Sequence, residues 1–196
     1  MTTVVDTGGA NLASIVCALE RLGACADVTL DVGRIGAAER VILPGVGAAG
    51  ESMRRIAEAG LRERLVTLRQ PVLGICLGMQ LLFESSEEDD SECLALLPGR
   101  VARIEPAPGV RVPHMGWNGV RVAADAGPMW QGIPDGAHFY FVHSYAAPVG
   151  PFVRATTDHG ASIPAYVATE NFHGVQFHPE RSADCGARVL RNFLEL

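Results

Sequence analysis

The first half of the chain alternates short runs of β-branched and aliphatic residues with helical patterns. These runs predict strands over residues 3–6, 28–30, 41–43 and 72–75. Apolar residues recur at helical spacing over residues 12–22 and over residues 52–69, where Gly60 interrupts the pattern. Strands that alternate with helices pair side by side in parallel. We therefore predict an α/β fold with a central, mostly parallel sheet flanked by helices.

The second half has a different pattern. From Gly99 onward Pro, Gly and short strand-like pieces dominate, and a helical pattern returns only over residues 183–194. Residues 138–145 alternate as a strand requires, so this half is expected to add antiparallel strands to the sheet. The acidic and Ser-rich residues 84–92 predict an exposed loop. Because no linker or repeat interrupts the chain, residues 1–196 are interpreted as one domain.

Composition restricts the classes of protein that fit. The chain has 196 residues, 48% of them hydrophobic and 19% charged, which is typical of a globular domain. A net charge of −6 provides no basic surface for nucleic acid, and no apolar run approaches the ~18 residues of a membrane helix. The five cysteines form no CxxC pair, and no signal peptide is recognisable. We therefore expect a cytoplasmic protein that binds neither nucleic acid nor membrane.

The pentapeptide Gly74-Ile75-Cys76-Leu77-Gly78 has the form of a nucleophile elbow, in which Cys replaces the usual Ser between a strand and a helix. Glycines on both sides permit the strained turn and close packing of helix on strand. The field of the helix N-terminus favours the thiolate, and backbone N–H groups there can stabilise an oxyanion. A buried Cys at a tight junction explains the pentapeptide equally well.

A second segment, Gly-Val-Gln-Phe-His-Pro-Glu, ends with His178 and Glu180. If the chain stays extended through Pro179, both side chains point to the same face, and the carboxylate can orient the imidazole. Pro179 indicates the end of a strand, which is where α/β proteins place their active sites. A polar turn after the strand would also explain the segment. Together with Cys76, however, the pair supplies a nucleophile, a base and an orienting group.

These two segments resemble the motifs of the class I (triad) glutamine amidotransferases. Four other segments restrict the resemblance to one group of proteins within this class. They are Asp-Thr-Gly-Gly-Ala-Asn-Leu (6–12), Leu-Pro-Gly-Val-Gly (43–47), Pro-His-Met-Gly-Trp-Asn (113–118) and Phe-Tyr-Phe-Val-His-Ser-Tyr (139–145). With them the chain is similar to the glutaminase subunits of the imidazole glycerol phosphate synthases of histidine biosynthesis. The resemblance runs from the first strand to the last helix.

The resemblance implies a class I glutamine amidotransferase fold and a role for each candidate residue. Cys76 would attack the amide of glutamine to form a thioester, His178 would transfer protons, and Glu180 would orient His178. The oxyanion would be held by backbone around Val46, Gly47 and Leu77. The implied glutamine-binding residues are Gln80, Glu88, His143, Ser144 and Tyr145. For Glu88, a merely solvated side chain in the acidic segment remains an alternative.

The resemblance also implies a partner, a cyclase with a (β/α)₈ barrel that receives the ammonia in a heterodimer. The implied interface residues are Met115, Trp117, Asn118, Tyr140 and Arg181. Met115 and Trp117 suit an interface because exposed aromatic anchors carry much of the binding energy of such surfaces, although a Trp that caps the local core is an alternative. No cofactor is implied, and the histidine spacings predict no metal site.

Other interpretations remain open at this point. A different triad amidase would use the same elbow, such as the glutaminase of pyridoxal phosphate synthesis or a γ-glutamyl hydrolase. The Pro-His-Met-Gly-Trp-Asn segment argues against both. A non-catalytic interaction or redox-sensing module would need only the thiol of Cys76, and the His178–Glu180 pair argues against that.

Overall fold

A computed structural model describes residues 1–8, 11–45 and 47–196. Gly9, Ala10 and Val46 lie outside these ranges. Two residues of the 6–12 segment, and the position of the oxyanion role predicted for Val46, therefore fall outside the described residues.

Strands and helices alternate in the first half and strands dominate the second, as the sequence predicts. The strands are β1 (Thr2–Val5), β2 (Ala26–Thr29), β3 (Arg40–Leu43), β4 (Val72–Ile75), β5 (Phe83–Ser86), β6 (Ser91–Glu92), β7 (Leu97–Arg103), β8 (His114–Val122), β9 (His138–His143), β10 (Tyr145–Ala146), β11 (Val153–Asp158), β12 (Ser162–Thr169) and β13 (Phe172–Val175). The helices are α1 (Leu12–Arg21), α2 (Val32–Ala37), α3 (Ala49–Glu58), α4 (Arg62–Val66), α5 (Leu77–Gln80) and α6 (Ala183–Leu194).

In the described residues the main sheet has nine strands in the order β2-β1-β3-β4-β13-β12-β11-β8-β9. The first five pair in parallel, and the remaining four join on in antiparallel pairs. The predicted α/β class and the antiparallel addition in the second half are both confirmed. A smaller sheet of four strands, in the order β10-β7-β5-β6, lies beside it.

The parallel strands are buried on both faces, which explains their continuous apolar sequence. In β1, Val4 packs with Ile15 and Leu19 of α1, while its neighbour Val5 joins the other core, which contains Met53 of α3. Side chains of a strand alternate between the two faces of its sheet. The helices on the two faces therefore cover separate cores, and the sheet is held rigidly between them.

Three details differ from the sequence prediction. Residues 84–92 are not a loop, because most of them belong to β5 and β6 and Ser86 is fully buried. The acidic residues that suggested solvent occupy the exposed positions between these strands. Helix α2 is a short connection that the apolar pattern did not reveal. The helix after Cys76 ends at Gln80, since the following apolar residues turn into the smaller sheet.

The five cysteines are free thiols, and Cys76 and Cys93 are the buried ones. Across the described ranges, every helix is too short or too polar to cross a membrane.

Candidate active site

Cys76 lies at the sharp turn between β4 and α5. Its backbone has φ 53° and ψ −108°, a conformation that non-glycine residues seldom adopt. The Cys76 N–H donates to the carbonyl of Val175 on the neighbouring strand β13, at 2.8 Å. Strain of this kind persists only where surrounding structure imposes it, and it is concentrated at functional sites. The predicted nucleophile elbow is therefore present as a strained turn.

The glycines of the elbow are needed for space. A Cβ atom on Gly78 would lie 1.8 Å from the carbonyl oxygen of Leu43, and one on Gly45 would lie 2.2 Å from the Gly78 nitrogen. A Cβ on Gly74 would lie 2.5 Å from the Gly78 oxygen. These neighbours are backbone atoms that cannot rotate away. The ends of β3 and β4 and the start of α5 are consequently in direct backbone contact, which fixes the position of Cys76.

His178 reaches the same edge of the sheet from β13. Val175 pairs with Ile75 in parallel register, so the two chains leave the sheet side by side. Nδ1 of His178 lies 2.7 Å from Oε1 of Glu180. The chain does not stay extended through Pro179, as the sequence analysis assumed, because residues Pro179–Arg181 form a short 3-10 helix. The proline begins this turn, and the turn itself brings the carboxylate back to the imidazole.

Asn11 also contacts this pair, although the sequence analysis gave it no role. Its Nδ2 donates to Oε1 of Glu180 at 2.7 Å and lies 3.4 Å from Nδ1 of His178. Asn11 precedes the apolar pattern of α1, which reads as an ordinary helix start. Nothing in its local sequence indicates a partner 169 residues away in the chain.

The electrostatics favour a charged His178–Glu180 pair. Burial disfavours the imidazolium, but the nearby Cys76 sulfur and the Glu180 carboxylate outweigh it and raise the pKa of His178 to about 10. Burial likewise opposes ionisation of Glu180, yet His178 and Asn11 together hold the pKa of this carboxyl below its usual value. The other ring nitrogen, Nε2, has no hydrogen-bond partner within the described ranges. His178 itself lines the same cavity as Cys76.

That cavity has a volume of about 340 Å³ and an open mouth. Its lining residues are Gly45, Gly47, Cys76, Leu77, Gln80, Glu88, Pro113, Val142, His143, Ser144, Tyr145 and His178. The described residues that were predicted for the oxyanion and for glutamine binding are all among them. Glu180 lies behind His178 and does not line the cavity.

Two glutamine side chains connect the cavity wall to the sulfur of Cys76. Nε2 of Gln80 donates to the carbonyl of Tyr145 at 2.9 Å and to Oε1 of Gln176 at 3.0 Å. Nε2 of Gln176 lies 3.6 Å from the Cys76 sulfur. Sequence reasoning passed over Gln176, although it lies two residues before His178 and strand periodicity places both on one face.

Glu88 has a structural contact as well as a place in the cavity wall. Its Oε2 accepts a hydrogen bond from the backbone N–H of Ala49, the first residue of α3, at 2.9 Å. Partial burial raises the pKa of this carboxyl. The alternative of a merely solvated side chain is therefore wrong.

The predicted interface residues divide into two groups. Met115 and Trp117 point outward from β8 with 62% and 53% of their surface exposed, and Tyr140 packs edge-on against Trp117. Trp117 therefore does not cap the core. Arg181 is also exposed. Asn118 differs, because it is half-buried and its side-chain amide donates to His114 and to the Asp158 carbonyl.

Among the described residues, no group of three or more His, Cys, Asp or Glu side chains is arranged to hold a metal ion.

A cysteine at a strained elbow, beside a His–Glu pair at the carboxyl edge of a parallel sheet, defines the class of triad amidotransferases. The chain belongs to the family described as Glutamine amidotransferase class-I, which matches residues 3–196. Within that family it belongs with proteins named imidazole glycerol phosphate synthase subunit HisH. It is 56% identical over 193 residues to the protein of that name from Xanthomonas euvesicatoria, covering 98% of this chain and 96% of the relative. It is 54% identical to the protein of the same name from Xylella fastidiosa, again over 193 residues that cover 98% of this chain and 96% of the relative.

Solved structures agree on the fold. A crystal structure titled glutamine amidotransferase superimposes with a TM-score of 0.76 at 21% identity, covering 99% of this chain and 97% of that one. The glutaminase domain of Trypanosoma brucei CTPS gives a TM-score of 0.69 at 16% identity, with coverages of 99% and 93%. At these identities the likeness concerns the fold alone.

Proposed function

We propose that this chain is the glutaminase subunit of an imidazole glycerol phosphate synthase. It hydrolyses glutamine to glutamate and ammonia and passes the ammonia to a cyclase partner with a (β/α)₈ barrel. That partner makes imidazole glycerol phosphate and AICAR in histidine biosynthesis. The observation that carries the proposal is one cavity that contains both the elbow cysteine Cys76 and His178, whose far nitrogen is held by Glu180. Identity above 50% to the HisH subunits supports the choice of pathway.

The geometry suits covalent catalysis by Cys76. The sulfur attacks the side-chain amide carbon of glutamine, and His178 delivers a proton from Nε2 to the departing nitrogen, so that ammonia leaves and a glutamyl thioester remains. His178 then takes a proton from water, which attacks the thioester and releases glutamate. Glu180 stays ionised throughout, because its function is to orient the imidazole and stabilise its positive charge.

Backbone groups are suited to the negative charge that develops on the amide oxygen. Leu77 is the first residue of α5. Its N–H group has no acceptor within the helix, as is general for the first N–H groups of a helix, and is therefore available to an oxyanion. Gly47 lies across the cavity with φ 111°, a conformation that glycine adopts freely. We assign the oxyanion site to these two positions together with Val46.

The remaining lining residues suit the amino-acid end of glutamine. Glu88 supplies a negative charge for the α-ammonium group, and the side chain of Gln80 supplies a polar wall one helical turn after Cys76. His143, Ser144 and Tyr145 also line the cavity, and the Tyr145 carbonyl accepts a hydrogen bond from Gln80. No cofactor is needed for this chemistry.

The exposed face of Met115 and Trp117 is proposed as the main contact with the cyclase, with Tyr140 supporting it and Arg181 near its edge. We propose that Asn118, which is half-buried beside these residues, supports the shape of this face through its hydrogen bonds to His114 and Asp158. We propose that the chain works as one domain over residues 1–196, in a heterodimer in the cytoplasm, with no nucleic acid or membrane partner.

Ammonia release from glutamine tests the proposal. We expect the chain to release ammonia slowly alone and faster when a cyclase subunit and its ribonucleotide ligand are added. Cys76→Ala should lower the rate by about 10³-fold or more, because no other cysteine among the described residues lines the cavity. Full activity of Cys76→Ala would disprove the mechanism. Rapid hydrolysis with no effect of the cyclase would instead indicate an independent glutaminase.

A further inference from the structure

A continuous row of side-chain hydrogen bonds runs from strand β8 to the glutamine cavity. Nδ2 of Asn118 lies 3.1 Å from Nε2 of His114, and Nδ1 of His114 lies 3.0 Å from Nε2 of His143. Nδ1 of His143 lies 2.8 Å from the carbonyl oxygen of Tyr145. We call these three side chains, Asn118, His114 and His143, the imidazole relay.

The ends of the relay fix the direction of every hydrogen bond within it. A carbonyl oxygen can only accept, so Nδ1 of His143 carries the proton and its Nε2 accepts from Nδ1 of His114. Nε2 of His114 then accepts from the Asn118 amide, whose second N–H donates to the carbonyl of Asp158 at 2.8 Å. Both rings must therefore be the neutral Nδ1–H tautomer.

Burial keeps the relay in that state. His143 and His114 are 6% and 4% exposed. Desolvation, together with the neighbouring ring of His159, lowers the pKa of His143 to about 3 and that of His114 to about 4. His114 is also clamped by aromatic rings, with Phe141 at 4.8 Å and His159 at 4.1 Å between ring centroids. Neither ring can turn over without losing hydrogen bonds and stacking.

The relay ends on a group that shapes the cavity. The carbonyl of Tyr145 accepts from Nε2 of Gln80 as well as from His143. Gln80 in turn bonds Gln176, which contacts the sulfur of Cys76. A change in the relay would therefore shift the polar wall beside the nucleophile. At its other end, the relay starts on the strand that presents Met115 and Trp117 to solvent.

We propose that Asn118 and His114 are positioning residues for glutamine, acting through His143 on the Tyr145 carbonyl and Gln80. The proposal rests on the proposed function, because it takes glutamine as the occupant of the cavity. Neither residue lines the cavity or contacts the substrate, so both act only by fixing the tautomer and position of His143.

The test uses the full chain carrying Cys76→Ala, so that glutamine binds without being hydrolysed, and measures Kd by calorimetry. His114→Phe keeps a ring between Phe141 and His159 but leaves the relay broken, and we expect it to weaken glutamine binding about tenfold or more. Asn118→Leu should have a similar effect. The two substitutions break the same row of hydrogen bonds, so their effects should not add. We expect the Kd of the double variant to be at most about twice the larger of the two single-variant Kd values.

His159→Phe is the matched control. It preserves the stacking on His114 and changes no hydrogen bond of the relay, so its Kd should stay within about twofold of the parent. Asn118→Asp gives a second contrast, since an ionised carboxylate cannot donate to His114, and we expect weaker binding despite the similar shape. Thermal unfolding of each variant identifies any that fail to fold.

The ¹⁵N chemical shifts of the imidazoles test the relay independently of any ligand. We expect both His114 and His143 to be the Nδ1–H tautomer near pH 7. An Nε2–H tautomer at either ring, or an unchanged Kd in folded His114→Phe, would overturn the proposal. If the Cys76→Ala parent binds no glutamine, the assumed substrate is wrong and the proposed function fails, while the ring shifts still decide whether the relay exists.

Discussion

Asn11 illustrates how a single side chain can serve two elements. Its backbone carbonyl accepts from the N–H of Ile15 in the first turn of α1, while its side chain is turned away from the helix toward Glu180. The amide donates to the carboxylate oxygen that also binds His178, so it helps to keep the carboxylate ionised. Asn11 is therefore a positioning residue of the candidate triad.

Substitutions at Asn11 separate this role from a capping role. We expect kcat for glutamine hydrolysis to fall about tenfold or more in Asn11→Asp, because a second carboxylate repels Glu180. Asn11→Ala should lose less activity, since it removes only the hydrogen bond. A capping residue would give the reverse order, because Asp stabilises a helix N-terminus and Ala does not. Steady-state kinetics with an unfolding curve for each variant decide between them.

The His178–Glu180 pair also predicts how stability depends on pH. The pKa of His178 is raised from 6.5 to about 10 in the folded chain, so its contribution is complete below pH 6.5 and is lost as the pH rises toward 10. The pKa of Glu180 is lowered from 4.5, so its contribution is present above pH 4.5 and is lost as the pH falls through the lower folded value.

Glu180→Gln removes the contribution of Glu180 and the part of the His178 contribution that comes from Glu180, while the part that comes from Cys76 remains. We expect its loss in free energy of unfolding to be largest between pH 4.5 and 6.5 and to shrink steadily toward pH 10. Urea unfolding of the parent and the variant across this range measures the difference. A loss that is constant with pH would mean that the ion pair does not contribute to stability.

At the scale of elements, the site depends on how closely β3, β4 and α5 approach. A methyl group at Gly78 would overlap the carbonyl of Leu43, so the strand and the helix would have to separate. We expect Gly78→Ala to lower the free energy of unfolding by about 3 kcal/mol or more, and to abolish hydrolysis, since overpacking against backbone cannot relax by side-chain rotation.

Gly60→Ala is the matched control for that substitution. Gly60 joins α3 to α4 with φ 65°, and a Cβ atom there would meet nothing within 4 Å. Only backbone strain of about 1–2 kcal/mol is expected, with hydrolysis unchanged. Equal losses for the two variants would show that the close approach at the elbow is not the cause.

At the scale of the whole molecule, the two faces of β8 present different side chains. Met115 and Trp117 project into solvent, whereas His114 and Asn118 point inward to the relay. An exposed Trp beside an exposed Met is the kind of anchor that dominates protein interfaces. This arrangement places the proposed partner contact and the relay on opposite faces of one strand.

The double substitution Met115→Ala and Trp117→Ala tests the partner contact. We expect the thermal stability of the chain alone to change little, because both side chains are largely exposed, and the Kd for the cyclase to rise about tenfold or more. Val149→Ala is the control, since Val149 is 70% exposed and lies outside β8 and β9. Surface plasmon resonance measures both. An unchanged Kd for the double variant would place the interface elsewhere.

Local patterns in the sequence were enough to predict the α/β class, the parallel strands and the elbow around Cys76. Runs of apolar residues identify a buried strand directly, and glycines two residues either side of a cysteine indicate a tight turn. The break in the helical pattern near Gly60 was likewise predicted from the local sequence. The prediction of a loop over the acidic segment 84–92 was wrong because its many carboxylates conceal the buried Ser86 and Ser91, which lie in β5 and β6.

The sequence by itself was enough to propose Cys76, His178 and Glu180 as the catalytic group, since the elbow and the His-Pro-Glu segment are each local patterns. Only the tertiary structure decided what surrounds them. The contact between Asn11 and Glu180 and the relay from Asn118 to Tyr145 join residues that are separated in the chain. The turn at Pro179 depends on how the backbone bends in the folded chain. Hydrophobic periodicity specifies which face of an element is buried, but hydrogen bonds between elements follow from the packed fold alone.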